Sequence, residues 1–227
     1  MTPSAENVVP RSPVQDWLDQ HEAQQTTVGD SRFVLRFASD EIERSAMETL
    51  GLCDVSGLRK LGLKGPDAHR ALQAARLDVP HNIFESRPLT DGGVIVRFGS
   101  DEFFLESGFQ DKSVRAVSDS VDQSQGQMFR VAHQEASFLV SGSRGPEVLA
   151  QTCGINFSEA VPQQAVFTRV AGVSCCILPD TVRQVLCYRI WVDPSYAMYL
   201  WDTLVEICES LDGRVIGAGC LFPTLTA

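Results

Sequence analysis

The chain has 227 residues, of which 44% are hydrophobic and 21% charged, enough to bury the core of one large domain or two small lobes. A formal net charge of −10, with no cluster of Lys or Arg, repels phosphate backbones and argues against nucleic acid or anionic membrane as partners. No apolar run approaches the roughly 20 residues that span a bilayer, and Met1-Thr2-Pro3-Ser4-Ala5-Glu6 has neither the basic nor the apolar stretch of a signal peptide, so a cytoplasmic protein is expected.

Residues 1–30 are rich in Pro, Ser, Gln, Asp and Glu and read as an extended arm outside the core, with a helical turn or two around Trp17 and Leu18. An arm carrying Trp17 lies along a surface, its own or a partner's. From Arg32 onward one device recurs: an extended apolar segment, a tight Gly-Pro or Asp-Pro step, then a helix. It appears first as the alternating strand 58–64, Gly65-Pro66-Asp67 and a helix over 68–75, with Pro66 at the first helical position. Residues 93–98 and 102–106 read as strands of a hairpin turning at Gly99-Ser100-Asp101, and 111–122 as a helix. The device returns as strand 136–141, Gly145-Pro146-Glu147 and a helix to about 152 that Gly154 stops. Its third form is strand 185–192, Asp193-Pro194 with Asp193 as N-cap, and a helix to about 211 closed by Gly213. Interleaved strands and helices with hairpins predict an α+β fold of two pseudo-repeated sheet-and-helix lobes over residues 31–212.

The last helix has one narrow polar stripe, Asp202, Thr203, Glu206, Glu209 and Ser210, and is otherwise apolar around Trp201 and Leu204. Either it is sandwiched inside its own domain, or one face meets the sheet and another a second protein. The tail 213–227, with Val215, Ile216, Leu221 and Phe222, is too apolar to hang in water and too short to form its own core, which points to a partner.

Motifs of free-standing chemistry are weak. Gly217-Ala218-Gly219 opens like a dinucleotide fingerprint, but Phe222 stands at the third glycine position and the chain given ends five residues later. Ser141-Gly142-Ser143-Arg144-Gly145 lacks the first glycine of a nucleophile elbow. His21, His69, His81 and His133 have no metal-ligand spacing and read as surface or capping residues. The seven cysteines, Cys53, Cys153, Cys175, Cys176, Cys187, Cys208 and Cys220, have no Cys-x-x-Cys pair and read as reduced thiols packed as small hydrophobes. Asp101 and Glu102 sit at a solvated hairpin tip, and Lys60 and Lys64 share the outward face of one strand with nothing evident to bind.

The run from Gly51-Leu52-Cys53-Asp54-Val55-Ser56-Gly57 to Gly65-Pro66-Asp67-Ala68 resembles the aminomethyltransferase superfamily, which includes the T-protein of the glycine cleavage system. Gly92-Gly93, the hairpin from Arg97-Phe98-Gly99 to Phe103-Phe104-Leu105, Ser143-Arg144-Gly145-Pro146 and the segment from Tyr196-Ala197 to Leu200-Trp201-Asp202 follow in the same order. The folate-contacting Asp that follows the Gly-Gly pair in catalytic members is absent, Val94-Ile95-Val96-Arg97 standing there, and Pro179-Asp180-Thr181-Val182-Arg183-Gln184 replaces a Gly-Tyr-Thr-Gly-Glu run. The family's C-terminal barrel domain is not present in this sequence. Length and losses together resemble the gamma subunit of heterotetrameric sarcosine oxidase.

That resemblance implies a structural subunit with no catalytic, cofactor-binding or metal residue of its own. FAD, FMN, NAD and tetrahydrofolate would be held by larger alpha- and beta-like partners, beside a small delta-like subunit, in a complex that oxidatively demethylates an N-methyl amine. The rival expectation is a stand-alone tetrahydrofolate-binding protein that uses another carboxylate, Asp91 or Glu106; a third is a scaffold repurposed for an unrelated role.

Overall fold

A computed structural model describes residues 11–122 and 126–222. The outer parts of the expected arm and tail, residues 1–10 and 223–227, lie outside it. In chain order the elements are α1 (Gln15–Asp19), β1 (Gln24–Val28), β2 (Ser31–Arg36), α2 (Asp40–Thr49), β3 (Gly51–Asp54), β4 (Lys60–Lys64), α3 (Ala68–Ala74), β5 (Ser86–Pro88), β6 (Val94–Arg97) and β7 (Glu102–Glu106). Then come α4 (Lys112–Asp122), β8 (Phe129–Val131), β9 (Ala136–Ser141), α5 (Gly145–Thr152), β10 (Val166–Val170), β11 (Val173–Val182), β12 (Val185–Val192), α6 (Ala197–Ser210), β13 (Arg214–Val215) and α7 (Ala218–Leu221).

These elements form an α+β fold. A six-stranded sheet has the order β10-β11-β12-β9-β3-β13, a five-stranded sheet the order β5-β6-β7-β4-β8, and β1 and β2 form a separate hairpin. All pairings are antiparallel except that of β13 with β3. One face of the six-stranded sheet carries Phe138, Val140, Ile177 and Ile190 into a core closed by α5 and α6. The outer face of the five-stranded sheet buries Leu61, Leu63, Ile95 and Phe103 against α3 and α4. The remaining faces meet along a seam where Val94, Val96 and Phe104 pack on Cys176, Leu178 and Trp191.

The strand–Gly-Pro–helix device occurs once in each sheet, as β4 to α3 and as β9 to α5. The turns that lead into both helices need glycine. At Gly65 (φ 133°) a Cβ would stand 2.4 Å from the Gln127 carbonyl oxygen, and at Gly142 (φ 98°) 2.4 Å from that of Thr49, closer than any side chain tolerates. The details differ from expectation at the helix ends. Helix α3 starts at Ala68, so Pro66 belongs to the preceding turn, where the Ala68 N–H bonds the Gly65 carbonyl. Helix α5 ends because Cys153 turns extended (φ −135°, ψ 141°), before Gly154 is reached. After α6 the left-handed residue is Asp212 (φ 58°), and Gly213 is required by space: a Cβ there would lie 2.5 Å from the Leu50 side chain. Asp193 accepts from the Ser195 N–H as expected, capping a short 3-10 turn that leads into α6.

The arm and tail correct the expectation more deeply. Val14, just before α1, and Leu18 within it are buried in the main core, and the ring of Trp17 meets Trp201 edge-on at 5.4 Å, so the inner arm lies on the chain's own surface and contributes to its interior. A boundary at residue 30 would cut the β1–β2 hairpin at its turn. The described tail likewise turns inward. β13 extends the six-stranded sheet, while Ile216, Ala218 and Leu221 are buried with Phe33, Met47 and Leu139. The tail's apolar character is therefore satisfied within the chain as far as Phe222.

Helix α6 is sandwiched on most sides, with Leu200, Trp201, Leu204 and Cys208 buried; Tyr196 just before it and Tyr199 in its first turn are exposed. Replacing Trp201 (0% exposed) by Asp places a carboxylate in the core at a cost of several kcal/mol, on the order of the whole stability of a domain. The purified Trp201→Asp chain is expected to lose its cooperative thermal transition by circular dichroism. Tyr199→Asp, at a site 55% exposed, is expected to keep it. A normal transition in Trp201→Asp would overturn the burial assignment.

Candidate functional site

The seam between the two sheets concentrates the chain's buried charge. Antiparallel register sets Lys60 of β4 opposite Glu106 of β7, and Arg189 and Trp191, two apart on β12, present the same face. Glu106 is fully buried. Its Oε1 accepts from Arg189 Nη1 at 2.6 Å, its Oε2 accepts from Trp191 Nε1 at 2.8 Å, and Lys60 Nζ lies 3.4 Å from Oε2. Arg189 Nη2 donates to Asp180 Oδ2 at 3.2 Å, and Lys60 Nζ also donates to the carbonyls of Ser56 and Leu58. Two cations thus face two carboxylates across strands of both sheets.

Burial pushes the Glu106 carboxyl up, but the charges of Lys60 and Arg189 and the Trp191 hydrogen bond outweigh it and hold the group below its ordinary value. For Arg189, burial opposes the charge, and Glu106 and Asp180 more than restore it. Lys60 therefore does not belong to a solvated face, as the strand alternation led one to expect, whereas Lys64, four residues on, pairs with Glu102 on the half-exposed rim. The alternation placed both lysines on one face correctly; the second sheet covers only one end of that face.

Two cavities flank the seam. The first, about 460 Å³, is walled by Phe98, Phe104, Phe167 and Trp191 with Glu135 and Asp193. Phe98 and Phe104 stack at 5.4 Å, and Trp191 and Phe167 stand edge-on to them at 5.0 and 5.1 Å. The second, about 650 Å³, is more polar and is bordered by Ser56, Arg59, Lys60, Asp111, His133 and Glu135. Glu135 belongs to both walls. Its Oε1 lies 2.6 Å from His133 Nδ1, while its Oε2 is shielded from solvent and has no hydrogen-bond partner among the described residues. Burial raises the Glu135 carboxyl, yet the contact with His133 and its own backbone N–H leave it below the ordinary value, so it is a carboxylate at neutral pH.

His133 corrects the reading of all four histidines as surface or capping groups: its ring is mostly buried and meets Phe104 edge-on at 4.9 Å. The His133-x-Glu135 spacing, which puts both side chains on one side of an extended segment, was the available sequence signal. His21 stacks on Trp17 at 3.7 Å, away from the seam. Ser141 is buried and its hydroxyl donates to the Gly51 carbonyl at 3.4 Å, a structural contact. Burial keeps the thiols of Cys175 and Cys187 neutral, pushed up to about 12. No group of three or more His, Cys, Asp or Glu residues among the described ones is placed to hold a metal ion, and no helix of the described residues is long and apolar enough to cross a membrane.

The two carboxylates considered for folate chemistry are both committed elsewhere. Asp91 accepts from the backbone N–H groups of Gly93, Gly108 and Ser113 at 3.0–3.3 Å, tying a tight turn to the start of α4. Glu106 is held by the ionic seam. Between them, where a free acid would have to stand on β6, Val94 and Val96 are buried in the apolar part of the seam.

No family model matches the chain, and no curated protein matches it in sequence. In fold it is similar to the glycine cleavage system aminomethyltransferase T from Bartonella henselae, with a TM-score of 0.77 and 16% identity over 96% of this chain and 62% of that one. The chain thus spans less than two thirds of that relative's length. It is also similar to a chain of the heterotetrameric sarcosine oxidase from Corynebacterium sp. U-96 in complex with pyrrole 2-carboxylate, with a TM-score of 0.62 and 18% identity over 90% of this chain and 97% of that one. The aminomethyltransferase-like fold read from the order of short motifs is the fold observed.

The seam has a measurable consequence. Glu106→Gln leaves Lys60 and Arg189 buried without their shared counter-charge and is expected to destabilise the chain by about 3–5 kcal/mol in urea unfolding. Because the folded carboxyl lies below its unfolded value of about 4.3, its contribution is fully present above that pH and is lost as pH falls through the folded value. The wild-type chain should therefore lose stability on acidification below about pH 4.3 more steeply than Glu106→Gln, and equal slopes would contradict the assignment.

Proposed function

We propose that the chain is a non-catalytic, gamma-like subunit of a heteromeric flavin-dependent complex of the sarcosine oxidase type, which oxidatively demethylates an N-methyl amine or amino acid in the cytoplasm. The observation that carries this reading is the extent of the likeness: the fold is shared over 97% of a sarcosine oxidase chain but over only 62% of the aminomethyltransferase. The chemistry of the seam supports it. The carboxylates nearest the Gly92-Gly93 turn are consumed by backbone and by ion pairs, so neither is free to exchange a proton with a bound folate. On this reading FAD, FMN, NAD and tetrahydrofolate belong to larger alpha- and beta-like partners, with a small delta-like subunit completing the assembly, and this chain supplies packing surface.

A second reading, a stand-alone tetrahydrofolate-binding protein, is favoured by one observation: the aromatic-walled cavity of about 460 Å³ is large enough for a flat heterocycle. The two readings separate in one preparation. The chain, tagged in its native host and purified gently, is expected to run as a large assembly with a yellow flavin spectrum. A colourless monomer of 24.9 kDa would overturn the subunit reading, and tight, saturable binding of tetrahydrofolate by that monomer would establish the second.

A further inference from the structure

Strand β10 forms one edge of the six-stranded sheet, and part of that edge is open. The strand ends in the two-residue turn Ala171-Gly172, which makes Val170 and Val173 a hydrogen-bonded pair. Alternation then turns the backbone groups of Val166, Thr168 and Val170 toward β11 and those of Phe167 and Arg169 outward. The outer side is closed on either side of them: the Ala165 N–H donates to the Phe84 carbonyl at 2.7 Å and the Ala171 N–H to the Thr152 carbonyl at 2.8 Å. Between these ties, the N–H and C=O groups of Phe167 and Arg169 have no hydrogen-bond partner among the described residues. The side chains of the same two residues share one face of the strand. Phe167 is 56% exposed, and its ring lies 5.7 Å from that of Phe84 and 5.1 Å from that of Phe98. Phe84, a bulky residue in the left-handed region (φ 67°), is held there by the Ala165 N–H and by its own N–H on the Arg97 carbonyl, which keeps its exposed ring beside Phe167. Arg169 is exposed and makes no ion pair among the described residues; its partner on β11 is Ser174, not an acid.

Sheet edges are ordinarily blunted against pairing with other chains. The outer strand β5 of the smaller sheet shows how: it carries Pro88, and its Arg87 is paired with Asp78 and Glu85. The open stretch of β10 instead sets free backbone groups, an exposed ring and an unpaired cation side by side. We propose that this edge is where the chain joins its assembly, by accepting a short extended segment of a larger partner subunit as an added strand. The free groups of Phe167 and Arg169 bond the backbone of that segment. An apolar or aromatic residue of the segment packs on Phe167 and Phe84, and an acid two positions away meets Arg169, because residues two apart on the added strand face the same side. A second copy of the chain fits less well: two β10 strands paired antiparallel about Thr168 set the Phe167 of each against the Arg169 of the other and supply no acid. This assignment rests on the subunit reading and gives that subunit its docking surface.

The test uses the full chain, tagged in its native host, with native mass and residue-level hydrogen exchange as readouts. In the wild-type assembly the Phe167 and Arg169 amides are expected to exchange at least about tenfold more slowly than in the same chain expressed alone, the change from an open to a bonded edge, while the Thr168 amide, bonded to β11, is protected in both. Phe167→Asp and Arg169→Glu alter exposed side chains; each is expected to keep the wild-type thermal transition and to retain at least about tenfold less partner on gentle purification. A wild-type assembly in which both amides exchange as fast as in the chain alone, or variants that hold partner at the wild-type level, would overturn the docking surface and leave the subunit reading standing. A colourless wild-type monomer would sink the subunit reading and this surface with it. A dimer of this chain alone with both amides protected would also overturn the proposal, by giving the edge to a second copy.

Discussion

A single buried carboxylate, Glu106, organises the contact between the two sheets. It receives Arg189 and Trp191 from the six-stranded sheet and Lys60 from its own, and every group in the cluster sits on a strand whose register is fixed by neighbours on both sides. Such a cluster adds little net stability over an apolar filling of the same volume, because the desolvation of four charges offsets their attraction. Its effect is on geometry. A one-residue slip of β4, β7 or β12 would turn a charged side chain to the opposite face and strand its partner without a counter-ion. The seam therefore tolerates one mutual placement of the sheets, and both flanking cavities take their shape from it.

Local patterns in the sequence were legible where the cause is local. Alternation marked β4, apolar runs ahead of Gly-Pro and Asp-Pro steps marked β9 and β12, the Gly99-Ser100-Asp101 step marked the β6–β7 hairpin, and Asp193-Pro194 marked the entry to α6, because turn and cap chemistry is written in adjacent residues. What could not be read locally was coverage. Residues 12–28 and 213–222 have the composition of an arm and a tail, yet Val14, Leu18, Ile216 and Leu221 are interior, since the groups that bury them come from distant parts of the chain. Lys60 was misread for the same reason. Arg189 was the stronger clue, a guanidinium in the apolar run 185–192, where burial demands a partner acid. His133 and Glu135 lie in a short segment without regular structure, and only the packing of that segment over Gly62, whose absent side chain leaves room for the His133 ring, makes them a pair.

The functional picture follows from what the seam retains and what it has given over to structure. A fold shared with an aminomethyltransferase and with a sarcosine oxidase chain here carries valines on β6 and a neutralised carboxylate on β7, so the interior is built for rigidity. Among the described residues, buried polar atoms without a hydrogen-bond partner remain within and beside the seam, Arg189 Nε, Ser137 Oγ and Glu135 Oε2 among them.

The sheet orders also impose a schedule on synthesis. All five strands β4 to β8 fall in the continuous stretch between β3 and β9, so the smaller sheet can close as soon as that stretch has left the ribosome. The larger sheet cannot: β3 must wait for β9, and its other edge for β13 near the end of the chain. During that interval Glu106 and Lys60 face water instead of Arg189, and the apolar faces of β6 and β7 are uncovered. The nascent chain is thus most exposed to chaperones, or to misplaced partners, along the surface that later becomes the seam.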